Sequence, residues 1–206
     1  MIKMILQEIT TLITKRLSPK AFRIDSEIYG LHYDKSKSNK IIKKVMLTID
    51  LSVKAIHYAL KQKVNLIISH HSLINKPIKK FDFNIINKLS LLSKYPISIF
   101  VLNSSFIAAE DGISDTIVKA LYLRLESMFE IKNNNGMKIP IGRICSPINY
   151  LDNKQSFTLE DLIKRIKMNL SLENVLYVGD LNKPIQKISI VGGYMSNPKY
   201  IKKAIN

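Results

Sequence analysis

Two histidines stand side by side at His70 and His71, half of the four in the chain, directly after the apolar run 64–69 (VNLIIS). Imidazole nitrogens bind borderline divalent cations and exchange protons near neutral pH. The carboxyl ends of strands in open α/β sheets are where such folds present their ligand sites. Adjacent strand residues point to opposite faces, so one of two conditions must hold if both rings are used. Either the strand has already turned at the pair, or each ring serves a different ion of a two-metal centre with ions about 3.5–4 Å apart. The plainer alternative is that one His caps the strand while the other meets solvent, because two imidazoles supply only part of a metal's ligand set. Carboxylates that could complete a site are few: Asp50, and downstream Glu110, Asp111 and Asp115. Asp50 qualifies if its strand neighbours that of His70; otherwise it is a loop carboxylate near a helix N-terminus. Glu110 and Asp111 precede a helix whose positive end they would offset without any ligand. Ordinary packing accounts for His57 on an amphipathic helix and for His32 in a loop. Cys145 has no nearby His to activate it, and Gly192-Gly193 lacks the spacing of a phosphate-binding loop, so it reads as a tight turn.

The elements that must position these residues follow from periodicity. Ile2, Ile5, Leu6, Ile9, Leu12, Ile13 and Leu17 recur at helical spacing and predict a core-facing helix that stops before Ser18-Pro19. Residues 43–50 (KKVMLTID) predict a strand, Ser52 a cap for the next helix, and 64–69 a second strand. Strand, helix and strand within about thirty residues match a βαβ crossover. A helix over 84–93, a strand over 97–101 and a helix over 113–123 continue the alternation, which predicts an α/β fold with a largely parallel sheet. Strands are expected at 139–144, 174–178 and 187–191, with a helix capped by Thr158 and running to about Leu170. Asp161, three residues after Thr158, makes a variant capping box. The Asn133-Asn134-Asn135-Gly136 turn marks the expected boundary between a first lobe, 1–132, and a second, 137–206.

Composition bounds the class. With 206 residues, 46% hydrophobic and 23% charged, the chain can bury a core and is not disordered. A single cysteine allows no internal disulfide and suits a reducing compartment, so a cytoplasmic location is expected. Apolar runs of spanning length are absent, which argues against a membrane helix. The formal charge of +16 would attract polyanions, and Lys35, Lys37, Lys40, Lys43 and Lys44 cluster in sequence. A lysine- and asparagine-rich compositional bias would produce the same excess.

The residues resemble those of a known family, the NIF-three-like dinuclear metal centre proteins often labelled GTP cyclohydrolase type two homologues. The resemblance rests on Gly30-Leu31, LTID at 47–50, IISHHSLI at 67–74, GISD at 112–115, IGRI at 141–144 and ISIVGG at 188–193. It implies an α/β protein of two related lobes, with largely parallel mixed sheets flanked by helices. It also implies a homohexamer, paired divalent metals of zinc, iron or manganese type, and hydrolase chemistry. By motif, His70 and His71 match the family's two His ligands. The family's second ligand motif aligns with residues 103–109, where its His becomes Asn103 and its metal-binding Asp becomes Ile107. Its closing H-x-x-x-E should follow Gly193 by several dozen residues, past Asn206. The expectation is therefore a weakly held metal on His70 and His71. Two functions stay open: a metal-dependent hydrolase, or a metal-poor relative that acts by binding, with nucleic acid as a partner for the basic surface. A shortened chain is also expected, because the last strand leads to a helix over 198–205 with no strand to return to.

Overall fold

The structure is a computed structural model that describes residues 3–35, 40–74, 78, 80–148, 156–193 and 202. The chain forms two compact units, Met1–Phe106 and Ile107–Asn206.

In the first unit a short strand β1 (Met4–Ile5) leads into helix α1 (Leu6–Arg16). Strands β2 (Gly30–Asp34), β3 (Ile41–Ile42) and β4 (Val45–Thr48) follow, then α2 (Val53–Lys61), β5 (Leu66–Ser69), α3 (Phe83–Ser93) and β6 (Ser98–Val101). The main sheet has the order β2-β6-β5-β4, with β4, β5 and β6 parallel and β2 antiparallel along β6. β1 and β3 form a separate two-stranded ribbon. Alternation along the strands fills two cores, as a parallel sheet covered on both faces requires. Ile67, Ile99 and Val101 join Ile56, Ala59 and Leu92 on one face, beneath α2 and α3. Leu66, Phe100 and Leu102 join Leu6 and Ile13 of α1 on the other. Ser52 caps α2 as expected, its hydroxyl accepting from the Ala55 N–H at 3.1 Å. Leu12, expected on the buried side of α1, is exposed. His32 lies on β2, at an irregularity in its register, and not in a loop.

Helix α4 (Ser104–Ala108) carries the chain across the division into the second unit. Helix α5 (Ile113–Ala120) ends where Tyr122 adopts a left-handed φ of 50°, and strand β7 (Leu123–Lys132) begins at once. β7 pairs antiparallel with β8 (Lys138–Pro147), and β8 with β9 (Ile188–Val191). The second unit's sheet is thus antiparallel, where the first unit's is largely parallel. Helix α6 (Leu159–Asn169) starts at the expected capping box, Thr158 accepting from the Asp161 N–H and Asp161 from the Thr158 N–H. Val118, Leu121, Leu123, Cys145, Phe157, Ile188 and Ile190 form the core.

Two expectations are corrected here. The turn at 133–136 is the β7–β8 hairpin, with Asn133 Oδ1 accepting from the Asn135 and Met137 N–H groups, so it lies inside the second unit and divides nothing. Residues 174–178 form no strand: Leu176 and Val178 are fully exposed, and the apolar run has no ladder to join. The helix expected over 198–205 lies outside the described residues, apart from Lys202.

Candidate functional site

His70 and His71 lie where β5 ends. The ladder runs past the strand itself: the His70 N–H donates to the Thr48 carbonyl at 3.0 Å and the His71 N–H to that of Ile49 at 2.9 Å. On the other side the Asn103 N–H donates to the His70 carbonyl at 2.9 Å. The pair is therefore held by both neighbouring strands while the chain bends. That bend resolves the alternative left by the alternation of strand side chains, since the two rings meet edge to face with centroids 4.8 Å apart.

Asp50 is brought to the pair because β4 and β5 are neighbours in register, Thr48 opposite Ser69. Its Oδ1 lies 2.7 Å from His71 Nδ1. An ionised carboxylate can only accept, so Nδ1 carries the proton and, in the neutral ring, Nε2 keeps its lone pair. Burial holds the His70 imidazole below its ordinary pKa and His71 pushes the same way, while Glu27 and Asp50 pull it up. His70 Nδ1 and Ser69 Oγ are buried with no hydrogen-bond partner among the described residues.

Glu27 belongs to this site and was not a candidate from sequence. Its Oε2 accepts from the Ser104 N–H at 3.0 Å, the Ser104 hydroxyl at 2.7 Å and the Tyr29 hydroxyl at 2.6 Å. Burial, followed by the bond to Glu27, pushes the Tyr29 phenol well above its ordinary range. No spacing in the sequence marks Glu27, because apart from nearby Tyr29 its partner is Ser104, 77 residues away. Asn103 adopts a left-handed φ of 47° and spends its amide N–H on the Ile28 carbonyl at 2.9 Å.

The other candidates are placed elsewhere. Asp115, Asp111 and Glu110 belong to the second unit. Asp115 binds Arg143 Nε, and Asp111 binds the Lys119 ammonium. Glu110 is exposed. Arg143 itself is 1% exposed and also donates to the carbonyls of Ala108, Ala109, Pro140 and Gly142. Ile107 is 6% exposed; a Cβ added at Gly192 would meet its Cγ2 at 3.2 Å, and one at Gly193 its Cδ1 at 2.8 Å. That side chain packs under the glycine turn. His57 sits on the exposed side of α2, and Cys145 is buried, its thiol pushed up to about 11 mainly by that burial.

Among the described residues no three His, Cys, Asp or Glu side chains gather as a metal site. The donors described do not fit a two-metal centre: Asp50 is engaged by His71, Glu27 by Ser104 and Tyr29, and among the described residues no carboxylate bridges the rings. No helix among the described residues is long and apolar enough to cross a membrane.

The chain matches the family model Duf34/NIF3 (NGG1p interacting factor 3) over residues 4–206. Among curated proteins it is similar to the GTP cyclohydrolase 1 type 2 homolog of Clostridium acetobutylicum, 24% identical over 184 residues, covering 88% of this chain and 65% of that protein. The homolog of the same name from Clostridium perfringens is 29% identical over 156 residues, covering 75% of this chain and 57% of its own length. The chain thus spans somewhat under two thirds of these relatives. Among solved structures it is similar in fold to a Bacillus cereus protein related to NIF3, with a TM-score of 0.78 at 16% identity, covering 98% of this chain and 79% of that one. Reduced HcgD from Methanocaldococcus jannaschii aligns with a TM-score of 0.75 at 23% identity, over 98% of this chain and 75% of that one. A model match along nearly the whole chain, on a fold shared with these structures, makes this protein a member of the Duf34/NIF3 family.

Proposed function

We propose that this chain is a metal-poor NIF3-family protein that acts by binding rather than by two-metal hydrolysis. In this reading His70 and His71 hold at most one divalent cation of zinc, iron or manganese type, loosely, and the basic surface attracts polyanions such as nucleic acid weakly. The observation that carries the reading is Ile107: at the position where the family resemblance calls for a metal-binding Asp, a buried isoleucine is committed to packing under Gly192-Gly193. An apolar side chain there can neither bind a cation nor swing out without leaving a cavity. The unpartnered His70 Nδ1 and the Asp50-oriented His71 support retention of some affinity for one ion.

A second reading, a metal-dependent hydrolase, draws on the GTP cyclohydrolase label of the relatives and on the same Asp50–His71 pair. Metal analysis of the purified protein, beside His70→Ala and His71→Ala variants, separates the two. The binding reading expects no more than one ion per chain, removed by a mild chelator and lost in both variants. Two chelator-resistant ions per chain overturn it in favour of the hydrolase.

A further inference from the structure

Helices α2 and α3 lie against one another over the same face of the first unit's sheet, their inner sides filled by Ile56, Ala59 and Leu92. Each joins two parallel strands, so the helices run side by side in one direction and turn their outer sides to water together. On α2 the outer stripe is Lys54, His57, Tyr58 and Lys61, all exposed and at helical spacing. Lys80 and Phe81 are exposed just ahead of α3, and the helix itself exposes Phe83 and Ile86. Phe81 is 66% exposed and Phe83 79%. Two phenyl rings in water within three residues, followed one turn on by Ile86, add little to the core and mark a binding surface. Charge is as one-sided. Residues 51–109 carry eight Lys and no Arg against one acidic residue, Asp82, where the whole chain has 32 cationic and 16 acidic residues. Asp82 is spent on the α3 cap, its Oδ1 accepting from the Ile85 N–H at 2.9 Å, and neither helix contains a carboxylate. An evenly spread lysine bias would not produce that local excess.

We propose, on the binding reading above, that the outer face of α2 and α3 is a docking surface for single-stranded nucleic acid, its lysines on the phosphates and Tyr58, Phe81 and Phe83 stacking on unpaired bases. Each nucleotide of a single strand offers a π face to a ring and a phosphate to a cation. The surface offers both in close succession: Tyr58 lies one helical turn from Lys54 and from Lys61, and Lys80 adjoins Phe81. The rings set this occupant apart from other polyanions. A duplex keeps its base faces stacked inside, so it would use the lysines and leave the phenyl rings in water, and an acidic peptide would do the same. An anionic bilayer suits a helix with an unbroken apolar side. Here the outer side of α3 is broken by exposed Asn84 and Ser90, and the stripe on α2 has no aliphatic residue.

Fluorescence anisotropy of the full chain with labelled oligo(dT), oligo(U), an abasic strand and a duplex, each about 16 nucleotides long to cover the usual site sizes, tests the surface. Oligo(dT) or oligo(U) should bind at least about tenfold tighter than both the abasic strand and the duplex, and the tighter of the two tells DNA from RNA. Charge alone would favour the duplex, whose phosphates are denser, so the order of affinities separates stacking from attraction. Phe81→Ala and Phe83→Ala should each weaken binding of the preferred strand about fivefold or more and leave abasic binding unchanged. Their circular dichroism should match wild type, because both rings are exposed. Lys54→Gln and Lys61→Gln should instead weaken all four ligands and lower the slope of log affinity against log salt by about 0.7 per lysine. Equal affinity for base-bearing and abasic strands, tighter binding of the duplex, or indifference to both phenylalanine variants would each overturn the proposal while leaving general polyanion attraction standing. Binding to none of the four would overturn both. Capture by phosphatidylserine–phosphatidylcholine vesicles in preference to every oligonucleotide would assign the face to a membrane and overturn the proposal as well.

Discussion

At the scale of single residues, groups that hold the fold are distinct from the groups gathered at the candidate site. Arg143 and Asp115 belong to the first class. Burial alone would raise the Asp115 carboxyl, but the Arg143 hydrogen bond and charge, the Asp111 N–H and Lys119 outweigh it and hold the group below the ordinary carboxylate range. A carboxyl lowered on folding adds stability above its unfolded pKa, near 3.9, and that stability is lost as pH falls through the folded value. Asp115→Asn leaves the buried guanidinium short of its countercharge and should cost about 3–5 kcal/mol at neutral pH. In urea titrations the gap between wild type and variant should narrow only as pH falls through the lowered folded pKa of Asp115, where the wild-type carboxyl is itself protonated. A gap that stays constant with pH would contradict this assignment. His70, His71 and Asp50 belong to the second class; the His pair was legible in the sequence because adjacency and strand-end position are local facts, whereas Asp50 stayed open until the β4–β5 pairing brought it to His71. Glu27 was not legible: the Ser104 groups it accepts from lie 77 residues away.

At the scale of elements, caps and periodicity did much of the specifying. Ser52 and Thr158 sit where side-chain oxygens meet free N–H groups at helix starts, and α2, α3 and α6 fall close to their expected spans. Strand β7 escaped notice although apolar residues recur at 123, 125, 129 and 131, because a strand is fixed by its partner and the Asn-rich turn looked like a boundary. Residues 174–178 show the reverse error, an apolar run with no ladder to join. Helix α4 shows how an element can be diverted from chemistry to packing. Restoring the family's carboxylate with Ile107→Asp should not raise zinc affinity; it should destabilise the protein by about 3–5 kcal/mol, through lost apolar contact with the glycine turn and burial of a polar group. Chemical denaturation and zinc titration of the variant check both statements. A stable variant with tighter zinc binding would show that the site was only one residue from completion.

At the scale of the whole molecule, charge is the quantity the sequence supplies outright. Under the binding reading, affinity for duplex DNA should fall at least about tenfold between 50 and 200 mM salt, the change expected for two or more neutralised phosphates, with little preference among sequences. Fluorescence anisotropy with two unrelated duplexes measures this, and binding that hardly responds to salt would refute it. Lys43 and Lys44 are exposed and Lys35 and Lys40 lie against carbonyls of Ser93 and Pro96, while Lys37 is outside the described residues. By itself the sequence determined the fold class, the parallel β4–β5–β6 core, most helix starts, the His pair at a strand end, and the family through the motifs around it. Each of these rests on interactions within a turn or between consecutive elements, where spacing along the chain is spacing in the structure. Only the tertiary structure decided that the units divide at residues 106 and 107, that the Asn turn closes a hairpin, that Glu27 meets Ser104, and that Ile107 is core. Those outcomes depend on which distant segments meet, and that is settled by cooperative burial and strand pairing, which no local pattern records.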